Sequence, residues 1–135
     1  MFKKLLPAKL AVAAALTLPL VASSAPKTFA QGQNLFGSIA VSPSTGAYGY
    51  SWNYKSRQGA VNGALRTCEN YAGRAGDCRA LVWFQNACGS LTQNSRGWGS
   101  GWGTTRSLAQ NYALQSCRQN YGSGCRVVET VCTSR

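Results

Sequence analysis

From about residue 35 onward this chain repeats itself, and that duplication constrains its fold more than any other feature. Tyr48-Gly49, Trp52, Ser56-Arg57, Ala64-Leu65, Cys68 and Cys78-Arg79 are followed by Trp98-Gly99, Trp102, Thr105-Arg106, Ala113-Leu114, Cys117 and Cys125-Arg126. The offset is 50 at the tryptophans, 49 at the first cysteines and 47 at the second. Loop insertions leave drifts of this size between copies of one structural unit. The repeat predicts two pseudo-symmetric halves sharing one core.

Periodicity supplies the elements. Phe36 to Ser42 alternates as a half-buried strand, with Ile39 and Val41 on one side. Ser42-Pro43-Ser44-Thr45-Gly46 is a turn, and Ala47 to Tyr54 is the return strand. On an unbroken strand Tyr48, Tyr50, Trp52 and Tyr54 share one face. Ser56 is the expected N-cap of a helix with an apolar stripe of Ala60, Val61, Ala64, Leu65, Cys68, Tyr71 and Ala72. Cys78 to Phe84 is a strand rich in large apolar residues. The second copy follows suit: a shorter strand near Ala87 to Gln93, a strand carrying Trp98 and Trp102, a helix capped by Thr105, and a closing strand from Cys125 to Cys132. The predicted fold is α+β: two strand-strand-helix-strand repeats, about 35–86 and 87–132, form one domain over 31–135, with two helices packed on antiparallel sheet. Alanine-rich helix stripes leave room for large side chains, so Trp52 and Trp102 are expected beneath the helices.

Met1 to Ala30 has the form of a secretory signal peptide. Lys3, Lys4 and Lys9 are its basic start, Leu10 to Ala22 its apolar run, and Thr28 and Ala30 its small cleavage-site residues. The run falls short of the roughly 20 apolar residues a membrane span needs. Leaving out Lys3, Lys4, Lys9 and Lys27 of the leader, nine arginines and Lys55 stand against Glu69, Asp77 and Glu129, a net charge of +7 for residues 31–135. The expected location is periplasmic or secreted, with no membrane span after cleavage. All six cysteines follow the leader, and an even count in a small exported chain implies a disulfide framework. With no His and no Cys-x-x-Cys pair, a zinc site is disfavoured, and no metal or cofactor is implied. The repeat favours Cys68–Cys78 and Cys117–Cys125 within the halves, leaving Cys88–Cys132 to join them.

Several motifs carry a resemblance. Gly37-Ser38-Ile39-Ala40, Ser44-Thr45-Gly46-Ala47-Tyr48-Gly49, Cys78-Arg79, Val82-Trp83-Phe84, Ala87-Cys88-Gly89, Gly97-Trp98-Gly99 and Gly101-Trp102-Gly103 resemble domain-of-unknown-function family 4189. That resemblance implies a small exported bacterial domain with disulfides. It implies no catalytic residue, because the family brings no established activity.

The residues argue against catalysis as well. There is no His to activate a Ser or Cys nucleophile, and the three acids fall at non-equivalent places in the repeat. A glycosidase pair needs two carboxyls about 5–9.5 Å apart, which nothing here brings together. Arg57 and Arg106 are the stronger lead. They sit at matching positions inside two helix N-termini, where a cation opposes the helix dipole. A bound anion would offset that penalty, and so would stacking on an aromatic ring. Tyr50, Tyr54 and Trp98 are candidate binding aromatics. The expected function is a non-enzymatic exported binding domain that engages an anionic envelope polymer or a protein through a basic, aromatic surface. The alternative is a periplasmic inhibitor or immunity-type protein that blocks an enzyme or toxin. Nucleic acid is disfavoured by the export signal.

Overall fold

The computed structural model describes residues 32–134, so the expected leader lies outside the described residues. The element order is β1 (Phe36–Val41), β2 (Tyr48–Tyr54), α1 (Arg57–Tyr71), β3 (Arg79–Gln85), β4 (Cys88–Gln93), β5 (Trp98–Gly103), α2 (Arg106–Tyr121) and β6 (Arg126–Cys132). The strand-strand-helix-strand unit occurs twice, and the fold is α+β. Each unit closes its own antiparallel sheet, ordered β2-β1-β3 in the first half and β5-β4-β6 in the second.

The two sheets lie face to face around the main core. Ile39, Val41 and Phe84 come from the first sheet, Leu91 and Val131 from the second, and Ala87 from the crossing between them. Tyr48, Tyr50 and Trp98 pack against the margins of this cluster. A smaller cluster of Ala40, Ala64 and Cys68 joins β1 to α1 on the opposite face. The layers therefore run α1, sheet, sheet, α2.

That arrangement reverses the expected placement of the aromatics. The helix-facing sides of the sheets are built from glycine and small hydroxyl residues, so the helices approach almost to backbone contact. A Cβ at Gly49 would strike the backbone of Cys68 and Ala64, and one at Gly99 the backbone of Ala113 and Cys117. Ser51 Oγ donates to the Ala60 carbonyl at 2.6 Å, and Thr92 Oγ1 to the Ala113 carbonyl at 2.7 Å, tying sheet to helix in each half. Small helix residues meet small sheet residues, while the wider gap between sheets, typically about 10 Å, takes the bulky ones. Trp52 and Trp102 are consequently not beneath the helices. They lie at open sheet edges, 51% and 53% exposed.

The drift in the repeat now has three physical addresses. Gly37-Ser38-Ile39-Ala40 recurs as Gly89-Ser90-Leu91-Thr92, and the turn that follows is two residues shorter in the second half. In β2 the pairing with β1 skips register between Phe36↔Tyr54 and Ser38↔Ser51, at a bulge where Asn53 adopts φ 59. β5 has no such bulge, so one residue of offset is lost there. The bulge also breaks the expected aromatic ladder: Tyr54 turns to the helix side and lies against Gly59 and Gly63 of α1. The third change is the loop before the last strand, with cysteine spacings of 10 and 8.

Three disulfides close the framework: Cys68–Cys78, Cys117–Cys125 and Cys88–Cys132. The last does not join the halves. Cys88 and Cys132 are directly paired on β4 and β6, within one sheet. Their counterparts are Phe36 and Gln85, which pair in the same register in the first sheet. The second half thus carries an extra staple where the first has an ordinary cross-strand pair. Three disulfides suit an oxidising compartment. Among the described residues no helix is long and apolar enough to cross a membrane.

Candidate functional site

The helix starts explain the paired arginines. Ser56 Oγ accepts from Gly59 N–H at 3.0 Å and Thr105 Oγ1 from Leu108 N–H at 3.1 Å, so both helices are capped as expected. Arg57 then lies over the Trp83 ring, 4.4 Å from its centroid. Arg106 donates to the Thr130 carbonyl at 3.2 Å and approaches Cys132 Sγ at 3.6 Å. Trp83 and Thr130 are themselves repeat partners, 47 positions apart. Each arginine therefore reaches from its helix start to the same place on the last strand of its own sheet. This contact offsets the mild dipole penalty.

The other candidate residues do not converge on these arginines. Tyr50 packs at the margin of the inter-sheet core and lies 5.9 Å, ring to ring, from Trp52. Tyr54 covers α1, with Arg66 near its hydroxyl at 3.5 Å. Trp98 is half-buried against the core. Arg57, Arg106, Tyr50, Tyr54 and Trp98 are thus scattered over both halves rather than gathered into one site.

The three acids are dispersed as well. Glu69 accepts from Gly76 N–H and Cys78 N–H, both at 2.9 Å, and shapes the loop after α1. Asp77 accepts from Ser42 Oγ at 2.6 Å and Ser44 N–H at 2.8 Å, and these hydrogen bonds hold its carboxyl below the usual range. In the second half Asn94 fastens the corresponding junction through the Tyr121 and Ser123 carbonyls. Glu69 borders a shallow hollow with Arg66 and Arg74, whereas Glu129 borders one lined by tyrosines. Among the described residues no group of three or more His, Cys, Asp or Glu is placed to hold a metal.

What the structure gathers instead is a surface around Trp102. A groove of about 440 Å³ runs between the sheet edges β3 and β5, lined by Leu81, Val82, Trp83 and Trp102 among others. On the other side of the Trp102 ring lies a second hollow with Thr104, Leu108 and Tyr112. Glycines create this arrangement. Gly101 and Gly103 let α2 close onto β5, which brings Tyr112 and Leu108 beside Trp102. Trp83, Leu108 and Tyr112 are 37%, 41% and 53% exposed. Sequence reasoning passed over Leu108, Tyr112 and Trp83. The available signal was their position off the buried alanine stripe of α2 and on the edge strand β3.

The opposite edge, between β2 and β6, holds a hollow of about 360 Å³ lined by Tyr48, Tyr50, Tyr71 and Glu129. Burial pushes the pKa of the Tyr48 phenol above its ordinary value, and the nearby Glu129 charge adds to the shift.

The sequence profile of a domain of unknown function, DUF4189, matches residues 36–132, which covers all eight elements. The chain belongs to the DUF4189 family. Among relatives of this DUF4189 protein are Protein Rv1269c of Mycobacterium tuberculosis and Protein Mb1300c of Mycobacterium bovis. Each is 35% identical over 92 residues, spanning 68% of this chain and 68% of the relative. The NMR structure of Rv1813c from Mycobacterium tuberculosis is similar at a TM-score of 0.52 and 28% identity, over 73% of this chain and 74% of that one.

Proposed function

We propose that this DUF4189 protein is an exported, non-enzymatic binding domain of the bacterial envelope or exterior, and that it holds a protein partner in the groove beside Trp102. The observation that carries the reading is the exposed apolar surface of Trp83, Trp102, Leu108 and Tyr112. Large aromatics standing in solvent beside a groove are the usual anchors of a protein interface. Arg57, stacked on Trp83, sets a cation at the groove rim and favours a partner with acidic groups beside its apolar residues. Dispersal of the three carboxylates supports the non-enzymatic part. The signal-peptide form of residues 1–30 and the disulfides support export.

An anionic envelope polymer is the second reading, favoured by the net charge of +7 over residues 31–135 and by exposed cations such as Arg79 and Arg126. An inhibitor or immunity-type protein is one form that the protein-partner reading takes. Capture from envelope and periplasmic extracts separates them. Protein-partner binding predicts a stoichiometric protein, retained in high salt by wild type and lost with Trp102→Ala. A polymer predicts capture that salt abolishes and Trp102→Ala leaves intact. Equal capture by Trp102→Ala and wild type at every salt contradicts the groove. Hydrolysis of peptidoglycan, ester or phosphodiester substrates by the purified protein contradicts the non-enzymatic reading.

A further inference from the structure

Glu129 stands where the repeat calls for an apolar side chain. Its counterpart 47 positions back is Val82, which packs against the inter-sheet core. The two positions are built alike: each pairs with a core residue of the central strand, Leu91 for Glu129 and Ile39 for Val82. In each sheet the same register shift falls beside that pair. A charge placed on a core-facing position without an evident structural gain is the kind of local conflict that marks function.

The surroundings of Glu129 define a chemistry. Tyr48 and Tyr50 reach it from β2 and Tyr71 from the end of α1, with Gly46 and Ala47 completing the hollow. Its carboxylate accepts Thr130 N–H at 3.2 Å and interacts with the Tyr48 phenol. No lysine or arginine among the described residues forms an ion pair with it, in a chain where cations greatly outnumber acids. Tyr71 is 75% exposed, and the second half has Asn120 at the equivalent helix position.

Three phenol rings around one carboxylate attract a compact organic cation. Aromatic faces carry negative charge density, and the carboxylate adds a full charge. A hard ion such as calcium wants six to eight oxygen ligands, which one carboxylate cannot supply. A methylated ammonium sheds water easily and presents methyl groups to the rings. The geometry points to the β2–β6 hollow as a binding site for a quaternary ammonium group. This site lies on the edge opposite the Trp102 groove and does not depend on it.

The test is an NMR titration of the disulfide-bonded protein with choline and with its uncharged carbon isostere, 3,3-dimethyl-1-butanol. Choline should shift the amides of residues 46–50 and 129, and the isostere should bind at least about tenfold more weakly. Glu129→Gln should weaken choline by about tenfold or more while leaving the thermal midpoint unchanged. Tyr71→Ala, at an exposed position, should weaken it several-fold without touching the core. Two further arms identify the source: phosphatidylcholine vesicles for a lipid headgroup and a trimethyllysine peptide for a protein side chain. Retention of either one, sensitive to Glu129→Gln, extends the site to that source. Choline and the isostere binding alike, or Glu129→Gln retaining full affinity, overturns the proposal. So does the absence of any choline-induced shift at these residues.

Discussion

The two open edges of the sandwich are related by the repeat, yet they are chemically opposed. The β3–β5 edge is lined by Leu81, Val82 and Trp102, while the β2–β6 edge carries Tyr48, Tyr50 and Glu129. Behind them the scaffolds match closely: equivalent caps at Ser56 and Thr105, glycine-backed helix contacts at Gly49 and Gly99, and arginines reaching equivalent strand positions. The difference teaches that the duplication maintains the layers and that divergence is concentrated at the edges. Function is best sought where the copies disagree.

The halves also differ in how they are stapled, and this sets the largest expected effect. Cys88–Cys132 closes 44 residues of sequence, against 10 and 8 for the other two bonds. Chain entropy then gives about 4 kcal/mol for the long loop and about 2.5 kcal/mol for each short one. Replacing each pair by alanine and measuring urea unfolding should reproduce that order. Equal losses for all three pairs would place the origin of the effect in native packing instead.

Next in size is the close helix–sheet contact. Gly49→Ala and Gly99→Ala should each cost about 3 kcal/mol, because the added methyl meets helix backbone that has no side-chain freedom to yield. Matching losses would sharpen the equivalence of the halves, whereas a loss in one alone would break it. Removing the paired arginines should do far less. Arg57→Ala and Arg106→Ala are expected to cost no more than about 1 kcal/mol each, since both are exposed and their contacts are confined to the last strand of their own sheet.

The smallest effect is local and depends on pH. Asp77 ionises below the ordinary carboxyl value of 3.8, so its contribution is fully present above that value and is lost as pH falls through the lower folded value. Asn94, which fastens the same junction in the second half, has nothing to titrate. Amide exchange at Ser44 should therefore accelerate in acid below pH 3.8 while exchange at Gly97 does not follow. Parallel acceleration at both turns would instead indicate a global loosening.

Much of the scaffold was legible in the chain. Ser56 and Thr105 announced the helices, Gly46 the first turn, and cysteine positions shared between copies the local disulfides. Alternation also separated the two faces of β1, and of β2 as far as Trp52, but not at Tyr54. It did not show which face meets the helix. Size complementarity points either way: an alanine stripe leaves room for a tyrosine, or it allows a glycine strand to approach closely. Gly49 and Gly99 show that the second solution is used. The bulge at Asn53 was hidden for a different reason, since a single left-handed residue leaves only a one-residue drift in the repeat. The site was less legible than the scaffold. Trp102 was visible but assigned to the interior, and Glu129 gains meaning only once its pairing with Leu91 aligns it with Val82.

The orientation of the sheets is the claim on which the grooves rest, and tryptophan accessibility tests it without a partner. Four single-tryptophan proteins, with the other three tryptophans replaced by phenylalanine, would be quenched by acrylamide in the oxidised state. Trp52 and Trp102 should be quenched most readily, Trp83 less so, and Trp98 least, in keeping with their exposure. If Trp52 and Trp102 are shielded as well as Trp98, the aromatic faces lie beneath the helices and the edge grooves described above do not exist.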